Sequence, residues 1–252
     1  MLRHFKVVVA YDGADFRGWQ VQPSLPTVQG TLADAIFRVT GERLLPQGSG
    51  RTDAGVHALG QVASFGLKSP IPAAGLLVAL NDVLPPAIRV MKATEAAPEF
   101  HARKSAIAKT YRYRIFRADI CPPHLARYVY HHPYPLDQSA MMQAAVKVVG
   151  EHDFTSFAAV DPERGREEEE VPNIRTVFSS GWERTEDEFM YTVRGSGFLQ
   201  HMVRNLVGTF LLVGKGTLKP ADIDSVLEAR SRSANPGATA PANGLWLINV
   251  EY

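Results

Sequence analysis

The sequence predicts an α+β fold built from two related strand-helix-strand modules, on three observations. Period-two alternation and helical periodicity follow one another twice along the chain. Several neighbouring strands lie too close together for long crossovers, which favours a mixed, largely antiparallel central sheet shared by two α/β subdomains. At 252 residues the chain also exceeds the usual size of a single core. A division near Pro98 to Ala106 separates an N-terminal subdomain, 1–104, from a C-terminal one, 105–252.

Phe5, Val7, Val9 and Tyr11 alternate as a strand does. From Thr27 to Thr40, Val28, Leu32 and Ile36 share one helical face, with Thr27 as N-cap and Gly41 as stop. A strand over Gln61 to Leu67 follows, then a helix through Leu76, Leu77 and Leu80 ended by Pro85-Pro86, and a strand from Ile88 to about Lys92. The second module opens with a strand over Lys109 to Phe116, in which Tyr111, Tyr113 and Ile115 share a face. It continues with a helix from Asp137 to Gly150, strands around Thr176 to Trp182 and Phe189 to Gly195, helices over Gln200 to Gly214 and Ile223 to Arg230, and a strand from Leu245 to Tyr252. No residue-level repeat accompanies the likeness of the modules. Asp161 to Pro172, with four consecutive glutamates, reads as a solvated loop.

Lys and Arg total 27 against 26 Asp and Glu, a net charge of +1, so a polyanionic partner must be met by a local patch. The single cysteine, Cys121, excludes an intramolecular disulfide and multi-cysteine zinc sites, and fits a reducing cytoplasm as a packed, inert thiol. No apolar run is long enough to span a bilayer, and Met1 to Lys6 lacks the apolar region of a signal peptide. Cytoplasmic localisation without membrane attachment is the expectation.

Arg51-Thr52-Asp53-Ala54-Gly55-Val56-His57-Ala58 sets one carboxylate in a short loop flanked by Gly48, Gly50 and Gly55, just before a strand. Glycine lets backbone approach a substrate closely, and loops on a rigid scaffold concentrate catalytic groups. The same string in isolation also describes an ordinary turn whose Asp caps its own backbone. Between Phe100 and Ala118 stand six basic residues, Arg103, Lys104, Lys109, Arg112, Arg114 and Arg117, with no acidic ones and with Tyr111, Tyr113 and Phe116 interleaved. Cations neutralise phosphates and flat rings stack on unpaired bases, although a strand with solvated arginines on one face has the same composition. On the Gln200 to Gly214 helix, Val203, Leu206, Val207 and Phe210 form the buried stripe. Arg204 lies about 100° from Val203, placed either to snorkel or to pair with a carboxylate.

Competing motifs fail on inspection. Gly208 to Lys215 has the wrong spacing for a P-loop, and Gly48-Ser49-Gly50 does not continue as a dinucleotide fingerprint. Asp53 has no second carboxylate loop of the aspartic-protease kind. His131-His132, ahead of Pro133, reads as a surface turn rather than a metal site, so no metal ligand is expected.

The motifs in order resemble the tRNA pseudouridine synthase A family. They are Tyr11-Asp12-Gly13 with Phe16-Arg17-Gly18-Trp19-Gln20, Gly50 to His57, Asn81 with Leu84-Pro85, Phe100-His101-Ala102-Arg103, and Lys109 to Tyr113. Phe154-Thr155-Ser156-Phe157, His201 to Gly208, and Ala238 to Ala242 with Gly244-Leu245 complete the set. The resemblance runs nearly end to end; the segment Asp161 to Pro172 carries no matching motif. It implies the pseudouridine synthase fold and a cofactor-free homodimer that isomerises uridines at positions 38, 39 and 40 of tRNA. By motif position it makes Asp53 the nucleophile, Tyr111 the residue that stacks on the target uracil and a candidate general base, and Arg204 the ion-pair partner of Asp53. Arg51 would fill the space left by the extruded nucleotide, with Arg103, Lys109 and Arg112 as further substrate contacts. Two rivals remain: a non-catalytic RNA-binding protein on the same scaffold, in which Asp53 merely shapes a turn, and a metal-dependent nuclease.

Overall fold

The computed structural model describes residues 2–159 and 173–252. In chain order, β1 (Arg3–Tyr11), α1 (Val28–Thr40), β2 (Gln47–Gly48), β3 (His57–Leu67), α2 (Ala73–Val83) and β4 (Ile88–Ala96) come first. They are followed by β5 (Ala108–Phe116), α3 (Pro123–Ala126), β6 (Tyr130–His131), α4 (Gln138–Val146), β7 (Gly150–Asp153), β8 (Ile174–Arg184) and β9 (Glu188–Gly195). The chain closes with α5 (Met202–Gly214), α6 (Asp222–Glu228) and β10 (Leu245–Glu251). The mixed, mostly antiparallel α+β character expected from the sequence is present. Contacts divide the chain into Met1–Lys109 with Trp246–Tyr252, and Thr110–Leu245.

In the first unit the strand order is β4-β1-β3-β10. β1 runs antiparallel to both β3 and β4, whereas β10 joins β3 in parallel through Trp246↔His57 and Leu247↔Ala58. Phe5, Val7 and Val9 are fully buried, as alternation requires of a strand with one core face, and Phe5 stacks on Phe65. Helix α1 buries Val28, Leu32 and Ile36; Thr27 accepts from Gly30 N at its start, a cap worth about 1 kcal/mol, and Gly41 ends it at φ 75°. Truncating Leu32 to alanine would cost about 2–5 kcal/mol. Strand β3 is buried along nearly its whole length on both faces.

In the second unit β5, β9, β8 and β7 follow one another, with β6 parallel to β5. Tyr111, Tyr113 and Ile115 of β5 are buried, as are Phe189, Tyr191 and Val193 of β9. Trp182, Phe189, Tyr191 and Phe210 form an aromatic cluster beneath α5, with Trp182 stacked on Phe189 at 4.5 Å. Helix α4 is shorter than the sequence suggests. Asp137 caps it, but it ends at Val146, and Gly150, at φ 113°, opens β7 instead of closing a helix. The acidic stretch 161–172 lies outside the described residues.

Candidate active site

The Asp53 loop is built from its backbone outward. Trp19 N donates to Thr52 O at 3.0 Å, Gly55 N to Phe16 O at 3.3 Å, and Val56 N to Asp53 O at 3.1 Å. The segment 13–19 therefore clamps both sides of Asp53 main chain to main chain. Such an approach leaves no room for side chains: a Cβ on Gly13 would lie 1.9 Å from Val56 O, and one on Gly18, at φ 91°, 2.5 Å from Thr52 O. The Tyr11 hydroxyl shares a hydrogen bond of 2.8 Å with Thr52 Oγ1. Burial pushes that phenol up to about 12, against the lowering effect of its bonds to Thr52 and Gln61.

Ahead of Asp53 the loop is tied to β3. Ser49 N donates to Val62 O at 2.8 Å, Ser49 Oγ to Gln61 Oε1 at 2.6 Å, and Gln61 Nε2 to Gly50 O at 3.1 Å. Lys109 brings a charge to the same place, its Nζ donating to Ser49 O at 2.6 Å. After the loop, His57 is fully buried, stacked on Trp246 at 4.4 Å, and its Nδ1 accepts from Gly13 N at 3.1 Å. Asp12 Oδ1 lies 3.2 Å from the same nitrogen. One imidazole nitrogen cannot at once accept from an amide and donate to a carboxylate, so the two contacts are alternatives set by where the ring carries its proton. The outcome is a half-buried Asp53 on a loop with little freedom, while Arg51 stands exposed beside it. A carboxylate so held suits attack on carbon or removal of a proton, since little reorganisation is left to make.

Tyr111 lies in the second unit, 8% exposed, with Phe198 against it edge-on at 5.2 Å. Arg112, its neighbour on the opposite face of β5, donates through Nε to Thr192 Oγ1 at 3.3 Å. The other cations of this strand are not all available to a ligand. Arg114 holds Glu188 through two hydrogen bonds, and Arg117 donates to the carbonyls of His132 and Tyr134. Arg103 is exposed.

Arg204 is half-buried on the first turn of α5, and its Nε donates to Ala240 O at 2.7 Å. That bond fixes the guanidinium against the segment that follows Asn235. The segment 235–241 is strapped onto α5 by polar side chains. Asn205, fully buried, donates to Phe157 O at 2.7 Å and accepts from Thr239 Oγ1 at 2.7 Å, while Thr209 donates to Asn235 Oδ1 at 2.8 Å. A Cβ on Gly208 would fall 1.7 Å from Ala238 O, so the strap touches the helix backbone. The Tyr113 hydroxyl donates to Pro241 O at 2.8 Å. Burial raises that phenol well above its ordinary range, with Tyr130 adding and the positive charge of Arg204 opposing.

Two expectations need correction or sharpening. His131-His132 is not a surface turn: His131 belongs to β6 and His132 is buried, its basicity lowered chiefly by burial. Cys121 is unpaired and half-buried, and burial raises its thiol above the usual value, as befits an unreactive group. Among the described residues no cluster of three or more His, Cys, Asp or Glu could hold a metal, and no helix is long and apolar enough to cross a membrane. Sequence reasoning missed the latching of the Asp53 loop by 11–19, the strap on α5 and the contact of Phe198 with Tyr111. The glycines at 13, 18 and 208 were the legible signal for the first two.

The sequence model for tRNA pseudouridine synthase matches residues 7–103 and 144–252. The tRNA pseudouridine synthase A of Solibacter usitatus is 51% identical over 251 residues, covering 100% of each chain. That of Moorella thermoacetica is 46% identical over 250 residues, covering 98% of each, and that of Brevibacillus brevis 45% identical over 251 residues, 100% of each.

Proposed function

Because the chain belongs to the tRNA pseudouridine synthase family, we propose that it isomerises uridine to pseudouridine at positions 38, 39 and 40, in the anticodon stem-loop of tRNA. The observation that carries this reading is the match over the whole chain to relatives named tRNA pseudouridine synthase A, at 51% identity over 251 residues in one of them. In the reaction the N1–C1′ bond breaks, the uracil turns, C5 joins C1′, and the C5 proton leaves while N1 gains one. Electrons and atoms balance within the nucleotide, so no redox partner or imported group is required.

A base paired in a stem must first leave the helix, at a cost of a few kcal/mol that stacking and phosphate contacts offset. Tyr111 is assigned to stack on the extruded uracil, Arg51 to occupy the vacated space, and Arg103, Lys109 and Arg112 to meet the RNA. Asp53 then either attacks C1′ or takes the C2′ proton to give a glycal. Arg204 is assigned as its ion-pair partner, a role that favours the ionised carboxylate. Tyr111 is also the candidate base for the C5 proton; an ordinary phenol, near ~10, needs activation for that task. A homodimer acting in the cytoplasm completes the reading.

The test is tritium release from tRNA labelled at uracil C5. Wild type is expected to release the label, and Asp53→Asn to lose the activity by roughly 10⁴-fold, the scale seen when a nucleophile is removed. No release by wild type on any tRNA would favour the non-catalytic RNA-binding alternative, and full activity in Asp53→Asn would sink the nucleophile assignment. Cleavage of the RNA that stops with chelator would instead mark a nuclease.

A further inference from the structure

On the second unit, the face of β9 opposite its buried residues carries Met190, Thr192 and Arg194, the positions alternating with Phe189, Tyr191 and Val193. Strand β8 breaks the same alternation. Val177 and Trp182 are buried, and Ser180 shares a hydrogen bond with the buried Tyr191 hydroxyl, so two residues rather than one lie between Val177 and the next inward position. The extra residue is a β-bulge: Val177 pairs with Gly195 and Ser179 with Arg194, leaving Phe178 without a partner. Bulges re-aim side chains and recur beside functional sites. Here the bulge turns Phe178 outward to 42% exposure, while Trp182, Phe189 and Tyr191 of the same two strands are no more than 4% exposed.

The exposed ring has a cation for company. The Arg194 guanidinium sits 4.9 Å from its centroid. Arg112, on the strand next to β9, donates to Thr192 Oγ1 on the same face. Arg112, Arg194 and Phe178 thus cross three adjacent strands, about 10 Å at the usual strand spacing and comparable to two or three stacked nucleotides at about 3.4 Å each. A single aromatic among guanidiniums and hydroxyls is poorly matched to an apolar protein surface. It is well matched to a base flanked by phosphates, since rings stack on unpaired bases and arginine plates extend the platform.

We propose that Phe178, turned out by the β8 bulge and backed by Arg194, is a stacking subsite for an unpaired nucleotide of the tRNA substrate, with Arg194 and Arg112 meeting its phosphates. The proposal rests on the tRNA-modifying reading above. It assigns Phe178 and Arg194 to affinity and not to the chemical step.

The test uses the full chain and an unmodified tRNA transcript, measuring Kd by filter binding together with the kinetics of tritium release. Phe178→Ala and Phe178→Leu are expected to raise Kd and KM about tenfold at unchanged kcat, the scale of one lost base–aromatic stack. Phe178→Tyr should stay within about twofold of wild type, because the flat ring is kept. Arg194→Gln should weaken binding and reduce the slope of log K against log salt by about one, a change Phe178→Ala should not make. The leucine variant keeps the apolar volume and so carries the comparison even where alanine lowers stability. Wild-type Kd and KM in Phe178→Leu would overturn the proposal, as would an affinity loss accompanied by a changed oligomeric state on size exclusion, which would make the patch a protein interface. A wild-type protein that released no tritium would strike the parent reading instead.

Discussion

In the first unit the Asp53 loop is latched main chain to main chain, by the amides and carbonyls of Phe16, Trp19, Thr52 and Gly55. In the second, the helix that carries Arg204 is latched by side chains, with Asn205, Thr209, Asn235 and Thr239 tying the strap 235–241 to α5. Both use glycine to bring two backbones together, at Gly13 and at Gly208. The difference teaches where each is vulnerable. A backbone latch is indifferent to most side-chain changes and fails when a Cβ intrudes, while a side-chain latch fails when a buried amide or hydroxyl is lost.

The largest effects should come from Gly13→Ala and Gly208→Ala. The added Cβ would lie 1.9 Å from Val56 O in one and 1.7 Å from Ala238 O in the other, and neither carbonyl is a flexible chain end. Each should lose about 3 kcal/mol in a denaturant melt. Gly13→Ala, by displacing the loop, should also lower kcat by about 100-fold in what still folds, since a 1 Å misplacement costs that much. A fully active Gly13→Ala would break the claim that the loop is held by close backbone approach.

Next comes Asn205→Ala, which touches only the side-chain latch. It strands the buried Phe157 carbonyl, takes the acceptor from the half-buried Thr239 hydroxyl, and should cost about 2–3 kcal/mol by thermal unfolding. Asn205→Asp should do no better, because it keeps the acceptor, loses the donor and buries a charge. A neutral Asn205→Ala would mean that the strap is held by its remaining bonds, Arg204 to Ala240 and Thr209 to Asn235.

Lys109→Met tests whether a side chain supplements the backbone latch. The ammonium holds Ser49 O four residues ahead of Asp53. Removing it should lower kcat about tenfold in single-turnover kinetics while altering stability by no more than about 1 kcal/mol. An effect on KM alone would leave Lys109 only the RNA contact already assigned to it, with no part in holding the loop.

The latches differ also in how readable they were. The helix α1 was legible because its caps are local, Thr27 and Gly41 being adjacent to the pattern they bound. The alternation of Tyr111, Tyr113 and Ile115 likewise fixed the inner face of β5. Asp53 on a glycine-rich loop entering a strand could be read from eight residues, but the clamp could not, because Trp19 meets Thr52 across 33 positions of chain and no periodicity pairs them. The end of α4 was misread since Val148 and Val149 prolong an apolar pattern past the true stop at Val146. The bulge at Phe178 had no sequence signal either, as a bulge is defined by the partner strand's register. The return of Trp246–Tyr252 to the first unit depends in the same way on a partner, β3, that lies far away in the chain.

The smallest expected effect at neutral pH is that of Tyr11→Phe, and its pH dependence is the most discriminating. The change deletes the hydrogen bond to Thr52 and should cost about 1 kcal/mol in a urea melt at pH 7. Burial raises the Tyr11 phenol from 10.0 to about 12 in the folded protein, so the folded state keeps a proton that the unfolded chain gives up. The stabilisation this group contributes is therefore complete below about pH 10 and is lost as the pH rises from 10 towards 12. Phenylalanine has no proton to lose, so the deficit of the variant should shrink through that window and then change sign. Tyr113, Tyr191 and Tyr252, raised by burial too, lower the stability of both proteins equally and cancel in the difference. A gap that stayed constant from pH 7 to pH 11 would show that Tyr11 is hydrated in the folded protein, and that the inner side of the Asp53 loop is not the dry place its burial describes.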